Sequence, residues 1–229
     1  MNSIKFSIII PVYNEQDTIA KIIQKVKGIP YPGQKEIIVI NDGSTDNTLP
    51  ILQKIPEITL LTNKENRGKG YSIRRGFKNA TGDIILIQDA DLEYEPRDYL
   101  KLLAKFKDKN TDVVYGSRFL KKNHRPRYLI FYYGNILLSL LTRLLYQKNI
   151  TDMETCYKAF KRSVLFQVTL KADRFDFEPE ITCKLLKRGF NIIEVPISYK
   201  SRSYKEGKKI NFIDGLKAIY ALFRYRFLN

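Results

Sequence analysis

Residues 83–93 read Asp83-Ile84-Ile85-Leu86-Ile87-Gln88-Asp89-Ala90-Asp91-Leu92-Glu93, an apolar, β-branched run that gives way to three carboxylates. A short continuous apolar run of this kind reads as a buried strand. Four others share its character, at Phe6–Ile10, Glu36–Ile40, Ile58–Thr62 and Asp112–Tyr115. Between the earlier ones apolar residues recur at helical spacing: Ile19, Ile22, Ile23 and Val26, then Leu49, Leu52 and Ile55, then Ile73 and Phe77. Strand and helix in alternation predict an α/β fold, a mostly parallel sheet with helices on both faces. Open sheets of this type bind ligands beyond the carboxyl ends of their strands. The segments that matter are therefore Pro11-Val12-Tyr13-Asn14-Glu15, Asn41-Asp42-Gly43-Ser44-Thr45-Asp46, Gln88–Glu93 and Gly116-Ser117-Arg118. Asn14 and either Ser44 or Thr45 are suited to cap the next helix in each case, and Gly43 would let backbone approach a ligand.

The remainder of the chain sets limits. Its 229 residues carry 44% apolar and 28% charged residues, ordinary for a globular domain, and no linker or repeat divides them. One domain over residues 1–229 is expected. With 40 Lys and Arg against 24 Asp and Glu the net charge is +16, which favours anionic partners. Cys156 and Cys183 form no CxxC pair, and the N terminus lacks a secretory pattern, so a reducing, cytoplasmic setting is expected. The single histidine, His124, lies in a basic stretch and disfavours any His-based triad or metal site. In the second half, Tyr128–Tyr146 is apolar but interrupted by Gly134-Asn135, and its core is shorter than the ~20 residues of a spanning helix. A helix lying on a membrane surface or packed on the sheet fits it better. Pro179–Arg188 reads as a helix, Asn191–Pro196 as a strand, and Phe212–Phe227 as a basic amphipathic helix.

Asp89-Ala90-Asp91 carries the chemistry. Two carboxylates one residue apart at a strand end repel unless a cation sits between them. Oxygen-only ligands select Mg²⁺ or Mn²⁺, which bind through one or two carboxylates and substrate phosphates. Asp89, Asp91 and Glu93 are the metal candidates. A cation bridging a diphosphate would act as Lewis acid for its departure, with Asp42, Glu15 and Tyr13 placed to hold a base or ribose.

The ordered set Pro-x-Tyr-Asn-Glu at 11–15, Asp-Gly-Ser-x-Asp at 42–46, Asn63–Gly70 and Asp-Ala-Asp-Leu at 89–92 resembles glycosyltransferase family 2. Within that family it resembles the polyprenyl-phosphate sugar transferases, the dolichol-phosphate mannose synthase and dolichol-phosphate glucosyltransferase group. Gly116-Ser117-Arg118, Gly134-Asn135, Thr151-Asp152, Glu178-Pro179-Glu180, Arg202 and Lys208 continue in the same order. The resemblance implies a GT-A (Rossmann-like) fold with C-terminal amphipathic helices. It implies a nucleotide-sugar-binding half over 1–120 and an acceptor- and membrane-facing half over 121–229. It further implies inverting, metal-dependent transfer of mannose or glucose from GDP-mannose or UDP-glucose to a polyprenyl (dolichyl or undecaprenyl) phosphate. Carried over residue by residue, Pro11, Tyr13, Glu15, Ile40, Asp42, Asp89, Ala90 and Asp91 would form the nucleotide-sugar pocket. Asp91, Glu93 and Asp89 would hold Mg²⁺ or Mn²⁺, and Asp89, Asp91, Arg118, Arg202 and Lys208 would be catalytic. Asn41, Glu93 and Thr155-Cys156-Tyr157-Lys158 depart from the family's usual residues and leave sugar and base open.

A phosphate acceptor explains the dispensable histidine, because a phosphate monoester with its second pKa near 6 is already anionic at pH 7. The alternative, a family 2 enzyme acting on a saccharide hydroxyl, needs a base, which a carboxylate within Asp173–Glu180 would supply. A nucleic-acid-binding module, suggested by +16 and 15 tyrosines, lacks a clustered basic face and any recognisable motif, so no nucleic-acid partner is expected. The partners expected are the nucleotide sugar, the lipid phosphate and an anionic membrane surface. With no transmembrane tail before Asn229, peripheral attachment to the membrane face or a separate membrane partner protein is expected.

Overall fold

A computed structural model describes residues 4–31, 33–120, 127–203 and 212–228. In chain order the elements are β1 (Lys5–Val12), α1 (Ile19–Lys27), β2 (Gln34–Asn41), α2 (Thr48–Gln53), β3 (Thr59–Thr62), α3 (Lys69–Asn79) and β4 (Ile84–Ile87). After them come α4 (Tyr99–Lys105), β5 (Val113–Ser117), α5 (Leu129–Tyr146), β6 (Lys158–Lys161), α6 (Arg162–Leu165), α7 (Phe177–Lys187), β7 (Ile192–Pro196) and α8 (Phe212–Phe227). Seven strands make one sheet in the order β3-β2-β1-β4-β6-β5-β7. Every pairing is parallel except the two made by β6, which runs against β4 and β5. This is the α/β, GT-A-like architecture expected, and both halves of the chain contribute strands to it.

Alternation along the central strands sends side chains to opposite faces. Ile8 and Ile10 of β1 join Ile37 and Val39 of β2 in the core that buries α1 through Ile19, Ile22, Ile23 and Val26. Ile9, Ile38 and Ile40 turn the other way, toward Ile85 and Ala80, with Phe77 of α3 packed against them. Because Ile40 is fully buried in that second cluster, it does not reach the ligand edge. The expectation that it lines a nucleotide pocket is not met by its side chain, which packs in the core and is not among the residues lining the cleft.

Three other local expectations change. Asn14 does not cap α1, whose N-cap is Thr18 without a side-chain bond, and Asn47 occupies the N-cap of α2. Asn14 has φ 48°, and its Oδ1 accepts from the Thr45 amide at 2.8 Å while its own amide donates to Ser44 Oγ at 3.0 Å. It therefore ties the loop after β1 to the loop after β2. Gly134-Asn135 does not interrupt α5, which runs unbroken for 18 residues with nothing against Gly134. By length and composition α5 is also long and apolar enough to cross a membrane, at about 27 Å for a rise of 1.5 Å per residue. Finally β6, Lys-Ala-Phe-Lys, is a strand that the apolar pattern does not announce. Its Lys158 is fully buried, with Nζ donating to the carbonyls of Met153 (3.0 Å) and Thr155 and lying 4.7 Å from the centre of the Tyr115 ring. Burial holds that amine below the ordinary lysine value.

Candidate active site

The carboxyl ends of β1, β2, β4 and β5 open on a cleft of about 300 Å³. Pro11, Val12, Tyr13, Glu15, Asp42, Asn66, Gly68 and Ser72 line one part of it, and Asp89, Ala90, Asp91 and Glu93 the middle. Tyr94, Arg118, Glu154, Arg174, Phe175, Glu178, Tyr199 and Arg202 line the rest, together with Lys69. Pro11, Tyr13, Glu15, Asp42, Asp89, Ala90, Asp91, Glu93, Arg118 and Arg202 thus converge as the sequence led us to expect. Ile40 does not, and Lys208 lies outside the described residues.

Asp42 builds the wall of the cleft. Its Oδ1 accepts from Asn63 Nδ2 at 2.6 Å and from the Arg67 amide at 3.0 Å, and its Oδ2 accepts from the Gly68 amide at 2.8 Å. These bonds pin the 63–68 loop. Gly43, at φ 66°, lets that loop close: a Cβ there would sit 2.5 Å from the Glu65 carbonyl carbon. Its need for glycine comes from loop packing. Gly68, at φ 104°, does the same for a segment of the second half, since a Cβ would meet the Asp173 carbonyl oxygen at 2.3 Å. That approach places α3 beside Ala172–Arg174, where the Tyr71 amide donates to Asp173 O at 3.0 Å and Arg74 Nη2 meets Asp173 Oδ1 at 2.6 Å.

Docking of the halves produces a buried charge chain. Lys69 Nζ lies 2.8 Å from Asp89 Oδ1 and 2.8 Å from Glu178 Oε1. Burial acts to lower the Lys69 ammonium, but the two carboxylates outweigh it and raise the amine well above its usual value. Burial likewise acts to raise Asp89, and the adjacent ammonium wins and lowers it. Asp91 has the opposite outcome. Burial, then the charges of Asp89 and Glu93, push its carboxyl up to about 7, although Arg202 opposes them. The cluster carries more negative charge than its neighbours balance.

Arg202 reaches into that excess. Its Nη1 donates to Glu15 Oε1 at 2.9 Å and Oε2 at 3.0 Å, and its Nη2 lies 3.2 Å from Asp91 Oδ2. A strand-like segment delivers it: Tyr94 and Tyr199 form an antiparallel bridge, the Lys200 amide donates to Glu93 O, and the Arg202 amide donates to Glu93 Oε1, each at 2.8 Å. Tyr199 Oη donates to Glu93 Oε2 at 2.7 Å. The three carboxylates expected to share one metal shell are paired with side chains instead, Asp89 with Lys69, and Asp91 and Glu93 with Arg202, while Tyr199 also donates to Glu93. Among the described residues no group of three or more acidic, His or Cys side chains is gathered for a metal ion.

Arg118 is locked. Its amide, Nε and Nη2 all donate to the fully buried Asp152 carboxylate, at 2.9, 2.7 and 2.7 Å. Burial opposes its charge, Asp152 more than restores it, and the guanidinium is raised well above its usual value. Glu194 fixes this pair from below by accepting from the Thr151 and Asp152 amides at 2.8 and 3.0 Å.

The sequence reading missed Lys69, Glu154, Arg174, Tyr199 and, as a cleft residue, Glu178. Lys69 stands within the quoted Asn63–Gly70 stretch, and its helix-starting position after Gly68 is the available signal. Of the acids in Asp173–Glu180, Glu178 reaches the cleft. Asp173 pairs with Arg74, and Glu180 accepts from the Lys171 and Ala172 amides and pairs with Lys184. Glu154 Oε1 and Glu178 Oε2 are buried without a hydrogen-bond partner. Burial, and then the charge of Glu178, push the Glu154 carboxyl up to about 8.

Residues 7–168 match the family described as Glycosyl transferase family 2. Two uncharacterized proteins of Methanocaldococcus jannaschii are 28% identical over 228 residues (97% of this chain, 92% of theirs) and 30% identical over 218 residues (88% and 93%). A UDP-N-acetylglucosamine–dolichyl-phosphate N-acetylglucosaminyltransferase of Methanococcus voltae is 29% identical over 237 residues, covering 94% of this chain and 93% of that protein. Among solved structures, glucosyl-3-phosphoglycerate synthase from Mycobacterium tuberculosis, crystallised with Mn²⁺, UDP and phosphoglyceric acid, superposes with a TM-score of 0.76 at 18% identity. The superposition covers 99% of this chain and 80% of that one.

Proposed function

This chain belongs to glycosyl transferase family 2, and from that membership we propose that it moves a hexose or N-acetylhexosamine unit from a UDP-sugar to a polyprenyl phosphate at a membrane surface. The observation that carries the reading is an acidic cleft in a basic protein. Seven carboxyl groups and four cationic groups line the cleft, in a chain of net charge +16. A nucleoside diphosphate is repelled by such a surface unless a cation accompanies it. The Methanococcus voltae relative supports both the uridine nucleotide and the lipid phosphate.

The donor set suits Mg²⁺ or Mn²⁺: it is all oxygen, and its surplus negative charge helps burial to raise Asp91. Asp91 and Glu93 are the residues to hold the ion, Asp89 being compensated by Lys69. When bound, the divalent cation supplies Lewis-acid stabilisation to the departing diphosphate. Pro11, Tyr13, Glu15 and Asp42 bound the nucleoside side of the cleft. Lys69 keeps Asp89 ionised. Arg118, held by Asp152, presents a fixed cation to the acceptor side, and Arg174 adds another. An acceptor phosphate enters already ionised, so the work left to the protein is alignment and charge neutralisation. Transfer to a saccharide hydroxyl is the second reading, favoured by the unpartnered Glu154 and Glu178 oxygens as sites for a proton.

Labelled UDP-glucose, UDP-N-acetylglucosamine and GDP-mannose, each incubated with Mn²⁺ and either polyprenyl phosphate or an oligosaccharide, separate these readings. The expected result is label from a UDP-sugar in the lipid fraction alone; label only in oligosaccharide overturns the lipid reading.

For the membrane, α5 presents Leu129, Ile130, Tyr133, Ile136, Leu137, Leu140 and Leu144 outward, and α8 presents Leu216, Tyr220, Phe223 and Phe227. Leu138, Ser139 and Thr142 of α5, and Ala218, Ala221 and Leu222 of α8, face inward. The two helices touch, Tyr146 Oη donating to Leu222 O at 3.4 Å and Arg226 lying 5.4 Å from the Tyr146 ring centre. Exposed Arg143, Lys148, Lys217, Arg224 and Arg226 border these apolar faces. An amphipathic pair of this composition supports seating in an anionic interface. Co-sedimentation with phosphatidylserine-containing vesicles should persist in part at high salt. It should fall about ten-fold in Leu140→Glu, on the scale of an apolar contact exchanged for a charge; no binding at any salt refutes the attachment.

A further inference from the structure

The cation that the acidic cluster needs is already present as a side chain. Arg202 donates to both oxygens of Glu15 and approaches Asp91 Oδ2 to 3.2 Å, with its Nε 3.9 Å from Glu93 Oε1. Only 16% of its side chain is exposed. Three carboxylates thus share one guanidinium, and two of them, Asp91 and Glu93, are the residues assigned above to the divalent ion. An arginine and a metal ion cannot occupy one set of carboxylate lone pairs, since each excludes the other by repulsion and by volume.

We propose that Arg202 is an internal stand-in for the divalent cation, competing with it for Asp91 and Glu93, so that the free ion is held off and only the ion brought with a nucleoside diphosphate displaces the guanidinium. The inference rests on the function proposed above for the identity of the two incoming ligands. It explains why the expected three-carboxylate shell is not gathered among the described residues: its members are turned toward Arg202 and Lys69. The displacement is a side-chain movement. The backbone of Arg202 is tied by its amide to Glu93 Oε1, and that of Lys200 to Glu93 O, while the guanidinium lies at the end of a long flexible chain. Once displaced from its carboxylates, Arg202 offers its charge to an anionic acceptor, and it does so only after the donor has been loaded.

The test is Mn²⁺ affinity without turnover, read from the electron paramagnetic resonance signal of the free ion and repeated with UDP present. Without nucleotide, Arg202→Ala and Arg202→Gln should bind Mn²⁺ at least about ten-fold more tightly than the unaltered protein, the scale of one unit charge removed from contact distance. Arg202→Lys, which keeps the charge, should remain weak. UDP should tighten Mn²⁺ binding more in the unaltered protein than in Arg202→Ala. Equal Mn²⁺ affinity in the unaltered protein and both neutral variants overturns the competition while leaving the proposed function standing. Failure of every form to bind Mn²⁺ even with UDP overturns the metal reading and the competition together. Circular dichroism of each variant confirms that folded protein is being compared.

Discussion

Asp91→Asn should lower turnover by about a thousand-fold at saturating donor and Mn²⁺, the scale on which a pre-organised electrostatic group contributes to a transition state, and leave the fold standing. The change removes a charge and keeps the shape. In the native structure that charge is disfavoured by burial and by Asp89 and Glu93, so its removal relieves repulsion. This sets the sign of the pH effect. An unfolded aspartate loses its proton near pH 3.9, whereas Asp91 in the folded chain keeps it up to about 7. Between those values the native state holds the extra proton, and this residue's contribution to stability falls as pH rises. Thermal unfolding of the ligand-free protein between pH 4 and 8 should accordingly be flatter in Asp91→Asn. Near-normal turnover in that variant removes the carboxylate from the chemistry.

Lys69→Met should cost about 3–5 kcal/mol, because it leaves Asp89 and Glu178 buried without their shared partner. For a chain of this size that corresponds to a fall in Tm of about 10 °C. Lys69 is one of the points where α3 of the first half meets α7 of the second, with side-chain exposures of 16% for Lys69 and 5% for Glu178. Adding Glu178→Gln to Lys69→Met should recover part of the loss, since one of the two stranded charges is gone. A Tm unchanged in Lys69→Met would mean that water reaches these carboxylates and that the ammonium is not what holds the halves together. Calorimetry on the single and double variants decides it.

How much of this was legible in the sequence depends on the range of the interaction. The β-branched runs announced β1 to β5, and helical spacing announced α1 and α3, because those signals are local and repeat with the geometry of the element itself. Glu15, Asp42, Asp89 and Asp91 were legible as strand-end residues in a sheet that binds at its carboxyl edge. Ile40 was not separable from its neighbours because both faces of β2 are buried, Val39 in one cluster and Ile40 in the other. The strand β6 escaped because Lys158 and Lys161 break its apolar pattern, and it takes the carbonyls of Met153 and Thr155 and the Tyr115 ring to make a buried ammonium acceptable there. Lys69, Glu178 and Arg202 are paired across the whole chain, and no spacing rule connects them. The glycines at 43 and 68 showed where the backbone turns, yet what each admits is another stretch of backbone.

The position of β6 between β4 and β5 has a bearing on synthesis. As the polypeptide emerges, β5 is made early but has no direct neighbour in β4. Its seat in the sheet is completed only when Lys158–Lys161 arrives and slots in antiparallel. A ribosome-bound product that stops at residue 120 thus carries an open seam in the middle of its sheet, which closes only as the C-terminal half is translated.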